Sequence, residues 1–301
     1  METVRESREG SISPERLDLI HKLNRSGKRL SKGHRRIAEY IVDNYEHAVF
    51  MTASRLGDKV GVSESTVVRF AAALGYEGYP QLQKALQELV RHRLTVVQRF
   101  DMSSELPPNE LLYTVLKTDM HNIRQTIEEI NEASFNDVIE RLLAAKRIYV
   151  LGVRAAAPLA TFLGYYLNFV FENVHVAALG ATDIFEQISR IGADDVLIGI
   201  SFPRYSTRTL EAMGFAKSRG SQVIAITDGS MSPLVDVAHI SLNAHTDMAS
   251  FVDSLAAPLS VINALIVALG LRKSEELKNH FSLLEGIWDE YHVYSDEDKV
   301  N

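Results

Sequence analysis

The chain has 301 residues, with 32 Lys+Arg against 39 Asp+Glu, a formal net charge of −7 and no cysteine. The missing cysteine excludes disulfides, Cys-based zinc sites and thiol catalysis, while the length suffices for two ordinary domains. No apolar run reaches the roughly 18 residues of a bilayer span, and the charged start METVRESREGSISPE lacks a signal core, so a cytoplasmic chain without a membrane partner is expected.

The charge is unevenly spread. Residues 1–100 hold 17 Lys+Arg against 12 Asp+Glu, net +5, and the remainder 15 against 27, net −12. A basic part joined to an acidic part fits a nucleic-acid-binding module attached to one that does not touch nucleic acid. A surplus of +5 is also within ordinary surface variation.

Residues 1 to about 12 are expected to be disordered. Ser13-Pro14 then opens a short helix, and residues 25–29 form a polar loop. Ser31 caps a helix to about residue 44, with Ile37, Tyr40 and Ile41 on one face. Lys32, His34, Arg35 and Arg36, with Lys28 and Arg29, are placed to lie along phosphates or to be solvated.

Residues 52–74, TASRLGDKVGVSESTVVRFAAAL, read as two short helices and a tight turn. Ala53, Leu56 and Val60 share a face, Gly61 ends the first helix where positive φ is wanted, and Val62 plugs the angle. Ser63 is an N-cap candidate for a second helix, whose apolar stripe is Val67, Phe70, Ala71 and Leu74. This is the helix-turn-helix pattern, whose second helix enters the DNA major groove. Arg69 is the best base-edge or phosphate contact, with Ser63, Ser65 and Thr66 as hydrogen-bonders. Each hydroxyl has helix capping as its alternative, the stronger of the two for Ser63. A further helix follows the Gly75, Gly78 and Pro80 turn, from residue 81 to about 100.

The run GVSESTVVRFAAALGYEGYPQLQKAL resembles the signature of the RpiR (MurR/RpiR) family of bacterial transcriptional regulators. In that family a Val-Ser-x-x-Thr-Val-x-Arg-Phe run precedes a Leu-Gly-aromatic-x-Gly-aromatic turn. Val62, Ser63, Thr66, Val67, Arg69, Phe70, Leu74, Gly75, Tyr76, Gly78 and Tyr79 all match.

Residues 101–110 include DMSSELPPN and form a linker. An amphipathic helix over 111–130 follows, then a break at 131–134 and a helix over 135–145. From Lys146 the rhythm changes to short Val/Ile-rich runs at 147–152, 174–179, 195–201, 222–227 and 239–243, suited to strands buried on both faces. Helical segments separate several of them at 155–171, 184–191, 207–218 and 251–269. The expectation is a doubly wound α/β domain with a five-stranded parallel sheet, its ligand beyond the strands' carboxyl ends. From residue 275 a last amphipathic helix carries Leu277, Phe281, Leu284, Ile287 and Trp288.

The loop after the first strand, GVRAAA, lacks the second and third glycines of a dinucleotide fingerprint. The loop SFPRYST places Ser201, Ser206 and Thr207 ahead of a helix N-terminus, which favours an anion or, for Ser206, simple capping. This half resembles a sugar isomerase (SIS) domain, the effector module usual in the RpiR family. Such domains bind phosphorylated sugars through a Gly-x-Gly-x-Ser loop and a Ser-x-Ser-Gly-x-Thr loop. Gly152 and Ser201 match. Arg154 replaces the second glycine, Ala156 the serine, Pro203 and Arg204 the Ser-Gly pair, and Ser206 the threonine. Arg154 and Arg204 are therefore expected to hold an anionic ligand, or else to pair with Asp183 or Glu186. Ser250, with Asp253 and Ser254, is a second-tier candidate, because in SIS domains the start of the last long helix approaches the pocket.

The expected organisation is an all-α helix-turn-helix domain (13–100), a linker (101–110) and an SIS-type domain (111–292). The resemblance implies a transcriptional regulator with a palindromic double-stranded operator, a small anionic effector and a homodimer or homotetramer, without metal or cofactor. The alternative is a sugar-phosphate aldose–ketose isomerase with an accessory helical domain, for which Glu186 and His245 are the nominees as base.

Overall fold

A computed structural model of the chain describes residues 30–44, 48–49, 51–90, 96–103, 109–178, 180, 182–248 and 251–294. The expected opening helix after Pro14 lies outside the described residues, as do residues 104–108 of the linker. The chain divides into two compact units, Met1–Met102 and Ser103–Asn301.

The first unit is helical, with α1 (Lys32–Asp43), α2 (Ala53–Val60), α3 (Glu64–Ala73) and α4 (Tyr79–Val90), followed by α5 (Val96–Ser103) at the boundary. Ser31 caps α1 by accepting from His34 N–H at 3.3 Å, and Thr52 caps α2 by accepting from Arg55 N–H at 3.3 Å. Ile37, Ile41, Leu56, Val67, Phe70, Leu82 and Leu86 are buried and weld the helices together. The helix expected over 81–100 is described in two stretches, α4 to Val90 and α5 from Val96, and residues 91–95 lie outside the described residues. Pro80 sits in the first turn of α4, where its missing N–H costs nothing, so α4 starts at Tyr79 rather than after the proline. The expected linker start is likewise helical, since α5 runs through Asp101 to Ser103.

The turn between α2 and α3 is built by two glycines. Gly61 takes φ 70°, in the left-handed region. Gly57 lies so close beneath the turn that a Cβ would fall 2.8 Å from Val62 O. That neighbour is backbone and cannot swing away. Gly57→Ala is therefore expected to destabilise the first unit by about 1–3 kcal/mol, seen as a lowered denaturation midpoint in its transition. An unchanged midpoint would mean that the turn yields freely. Across the unit, the Tyr79 hydroxyl donates to Met51 O at 2.7 Å, and Gln83 Nε2 donates to the same oxygen at 3.1 Å. Burial pushes the Tyr79 phenol up to about 12.

The second unit opens with α6 (Leu111–Glu129) and α7 (Glu132–Ala144). Asn131 Oδ1 accepts from Ser134 N–H at 2.9 Å, so the expected break at 131–134 is in fact the cap and first turn of α7. Five strands follow: β1 (Arg147–Gly152), β2 (Val174–Ala177), β3 (Asp195–Ile200), β4 (Gln222–Thr227) and β5 (Ile240–Asn243). All neighbouring pairs are parallel, in the order β2-β1-β3-β4-β5. Between them run α8 (Ala157–Val170), α9 (Ile184–Gln187), α10 (Thr207–Ser218) and α11 (Pro233–Val237); α12 (Ala256–Arg272) and α13 (Ser274–Glu290) close the unit. Ile148 and Val150 face a core shared with α7, α8 and α12; Tyr149 and Leu151 face one shared with α9, α10 and α11. This is the doubly wound sheet expected.

Two helix boundaries differ from the expectation, and one helix is additional. The helix foreseen from residue 251 begins at Ala256, because Pro258 is tolerated only in a first turn. The helix foreseen over 184–191 ends at Gln187, and α11 was not foreseen at all.

His239 edges the sheet. Its Nδ1 accepts from Val223 N–H at 2.9 Å, and its own N–H donates to Val223 O at 2.8 Å. Burial, followed by the charges of Lys217 and Arg141, lowers its pKa below the usual 6.5. The unfolded chain therefore takes up this proton first as pH falls through 6.5, and stability contributed by the neutral ring is lost on acidification below that value. The His239→Gln variant is expected to show a shallower fall in melting temperature between neutral and mildly acidic pH; an identical fall would assign it to other groups.

Candidate functional site

Two sites were foreseen, one in each unit. In the first unit, the outward face of α3 carries exposed Ser65, Val68 and Arg69, with Thr66 half-buried. Arg69 folds back along its own helix: Nε donates to Ser65 O at 3.2 Å, and Nη2 donates to Thr66 Oγ1 at 3.4 Å. Ser63 is the N-cap residue of α3, yet its hydroxyl caps no backbone N–H. It lies 2.9 Å from both Ser65 Oγ and Thr66 Oγ1 instead. The expected capping role of Ser63 is thus replaced by a hydroxyl cluster, because Ser65 and Thr66 fall within one turn of it and outcompete the backbone donors.

The first turns of α1 and α3 converge. Ser31, Gly33 and His34 from α1 and its cap, with Val62, Ser63, Thr66 and Arg69, line a hollow of about 570 Å³. Two helix N-termini and a guanidinium facing one concavity favour an anion such as a backbone phosphate. Burial and the neighbouring Arg69 lower the His34 pKa, and its ring meets Phe70 edge-on at 5.7 Å. Lys32 and Arg35 are exposed. Arg36 is used differently from the phosphate contact expected: its Nη1 donates to Gly61 O at 3.3 Å and braces the turn. Sequence reasoning left Val68 out. At 41% exposure in the middle of the outward face, it can meet a thymine methyl; its place off the apolar stripe was the available signal.

In the second unit, the crevice follows from topology. The chain leaves β1 toward α8 on one face and β3 toward α10 on the other, while Gly152 pairs with Ile200 across the two strands. Loops diverging from adjacent carboxyl ends open a cleft at this switch point. Arg154 and Arg204 stand on these two loops, both exposed. Both have left-handed backbone, φ 57° and 68°. Among the described residues the only other non-glycine with positive φ is His292. A non-glycine residue there costs about 1–2 kcal/mol.

No hydrogen bond or ion pair ties down either guanidinium among the described residues. The acids foreseen as alternative partners are engaged elsewhere. Asp183 caps α9 by accepting from Phe185 N–H at 3.0 Å and lies 3.9 Å from Arg208, and Glu186 accepts from Asp183 N–H at 3.2 Å.

The remaining expected ligand residues divide. Gly152 has a packing role, since a Cβ there would fall 2.7 Å from Ala156 O. Ser201 is buried, its Oγ accepting from Ser206 N–H at 3.0 Å and its carbonyl accepting from Thr227 Oγ1 at 2.8 Å. Ser206 Oγ accepts from Thr209 N–H at 3.3 Å and caps α10, the alternative left open for it. Thr207 is exposed in the first turn of α10. Ser250 lies outside the described residues. Asp253 and Ser254 precede α12 rather than opening it, and Ser254 Oγ donates to Asp119 Oδ1 at 2.6 Å. Among the described residues no three His, Asp or Glu side chains converge as metal ligands.

Comparison with known proteins is consistent with both units. Residues 17–92 match the helix-turn-helix domain of the rpiR family, and residues 141–268 match the SIS domain. The HTH-type transcriptional regulator HexR of Pseudomonas aeruginosa is 23% identical over 269 residues, spanning 87% of this chain and 93% of HexR. Among solved structures, the sugar isomerase domain of an RpiR transcription factor from Sphaerobacter thermophilus covers 58% of this chain and 98% of its own, at 26% identity and a TM-score of 0.56. The Vibrio vulnificus NanR protein complexed with ManNAc-6P covers 92% of this chain and 100% of its own, at 22% identity and a TM-score of 0.53.

Proposed function

The chain belongs to the RpiR family of helix-turn-helix transcriptional regulators, and from that premise we propose that it binds an operator through α3 and adjusts that binding to a small anionic metabolite held between the loops after β1 and β3. The ligand class is a phosphorylated sugar or a sugar acid. The observation that carries this reading is the pair Arg154 and Arg204, two untethered guanidiniums on the two switch-point loops, each kept in a strained left-handed backbone. Strain of this kind clusters at ligand clamps and switch regions. NanR, complexed with ManNAc-6P, supplies a precedent for a phosphorylated sugar.

Arg154 and Arg204 supply charge-assisted hydrogen bonds that the lost loop hydroxyls and the Pro203 N–H cannot. Ser63, Ser65, Thr66 and Arg69 face base edges or phosphates, and Lys32 and Arg35 lie along the backbone. Residues 101–110 join the two functions, which the unit boundary after Met102 supports. A two-fold homodimer or homotetramer would read a roughly palindromic operator, in the cytoplasm where that DNA resides. Isomerase chemistry is disfavoured because its nominated bases are occupied: Glu186 closes the cap of α9, and His245 Nε2 lies 2.8 Å from Glu129 Oε2.

A thermal-shift screen against hexose 6-phosphates and the matching sugar acids tests the ligand reading. A true effector at about a hundred times its Kd stabilises by about 2.7 kcal/mol, and Arg204→Ala removes that stabilisation. An undiminished shift in the variant would take Arg204 out of the site.

A further inference from the structure

We propose that α6 is a strut seated by the segment after β5, and that its seating relays the state of the sheet's carboxyl edge to the DNA-binding unit. This inference rests on the reading of the chain as an effector-sensing regulator. It adds a route between the two functions.

The polar face of α6 carries it. Asn122 and Thr126 are the buried residues of this 19-residue helix. The Asn122 side chain acts as a strand partner would: Nδ2 donates to Asp247 O at 2.8 Å, and Oδ1 accepts from Asp247 N–H at 3.1 Å. Thr126 Oγ1 accepts from His245 N–H at 2.9 Å, Glu129 meets the His245 ring, and Asp119 accepts from Ser254. Positions 119, 122, 126 and 129 recur at steps of three and four, so one face of the helix reads the backbone and side chains of His245, Asp247 and Ser254.

Apolar anchoring is thin by comparison. Ile123 is partly buried against the core, while Leu112, Tyr113, Leu116, Met120 and Ile127 are exposed. A helix positioned by directional polar bonds has discrete seats, because a slide of one residue misaligns every partner at once.

The two ends of the strut give it direction. The segment it reads leaves β5 at the carboxyl edge of the parallel sheet, the edge that also carries Arg154 and Arg204. At its other end α6 begins at Leu111, the first helix after the linker. A ligand that shifts the carboxyl-edge segment therefore shifts the helix on which the linker is mounted. Coupling of this kind is reciprocal, so DNA bound to the first unit must also be felt at residues 244–254.

The test uses the full chain, without any effector. Hydrogen exchange is followed with and without the double-stranded DNA upstream of its own gene, with DNA binding read by anisotropy in parallel. Bound DNA is expected to change exchange in 111–129 and 244–248. Asn122→Ala and the isosteric Thr126→Val are each expected to shift DNA affinity by about fivefold or more, far from α3. Thr126→Val keeps the test standing if Asn122→Ala impairs folding. Exchange in these segments that ignores bound DNA, or a folded Thr126→Val variant with parental affinity, overturns the strut while leaving the regulator reading intact. A chain that leaves the DNA free overturns both.

Discussion

Arg69→Ala lowers operator affinity by about 10- to 100-fold, the 1–3 kcal/mol range of a lost base-edge contact. Arg69 lies on the outward face of α3, in the second turn of a helix whose N-terminal hydroxyls cluster with its guanidinium. Among the described residues that guanidinium is held by Ser65 O and Thr66 Oγ1 alone. Exchanging these for base or phosphate oxygens therefore loses little. Lys32→Ala and Arg35→Ala should behave differently. Each weakens specific and scrambled duplexes alike and reduces the salt slope by about one. Arg36→Ala separates again: it removes the brace on Gly61 O, so its first effect is on the stability of the turn. Anisotropy titrations on matched and scrambled duplexes at two salt concentrations resolve the three behaviours. Equal losses on both duplexes for Arg69→Ala would demote it to a phosphate contact.

The double variant Arg154→Gly, Arg204→Gly should be more stable than the parent without ligand and insensitive to effector. Relief of left-handed strain gains about 1–2 kcal/mol per site. Added glycine entropy in the unfolded chain returns about 0.5–1 kcal/mol of it. The net is a rise of about 0.5–1 kcal/mol per site, visible as a higher melting temperature. Against this, loss of two charge-assisted hydrogen bonds weakens an anionic effector by about 3 kcal/mol or more, at least about a hundredfold. Opposite signs in one protein distinguish functional strain from accident. A variant that gains stability and still binds would show the arginines to be bystanders. One that loses stability would show them to be structural.

The periodic parts of the chain were legible from sequence, and parts that depend on distant partners were not. The five strands follow from Val/Ile runs buried on both faces, and α10 matches its expected limits because Ser206 marks its start. The switch-point location of Arg154 and Arg204 follows once strand order is known. Their exchange for glycine was visible in the sequence, but the φ of 57° and 68° was not, because nothing local dictates that an arginine keep a glycine's backbone. Ser63 misled because a good N-cap residue and a hydroxyl cluster use the same atom. The bonds between Asn122 and Asp247 join positions 125 apart, beyond any periodicity.

Anion occupancy of the β1/β3 crevice is expected to change operator binding. The most direct measurement is the operator affinity of the full chain, by anisotropy, with and without each hexose 6-phosphate and sugar acid that stabilises it. A stabilising ligand is expected to shift operator affinity by about fivefold or more, and the shift is expected to vanish in the Arg154→Gly, Arg204→Gly variant. A ligand that binds the crevice and is isomerised, with operator affinity unchanged, would contradict it.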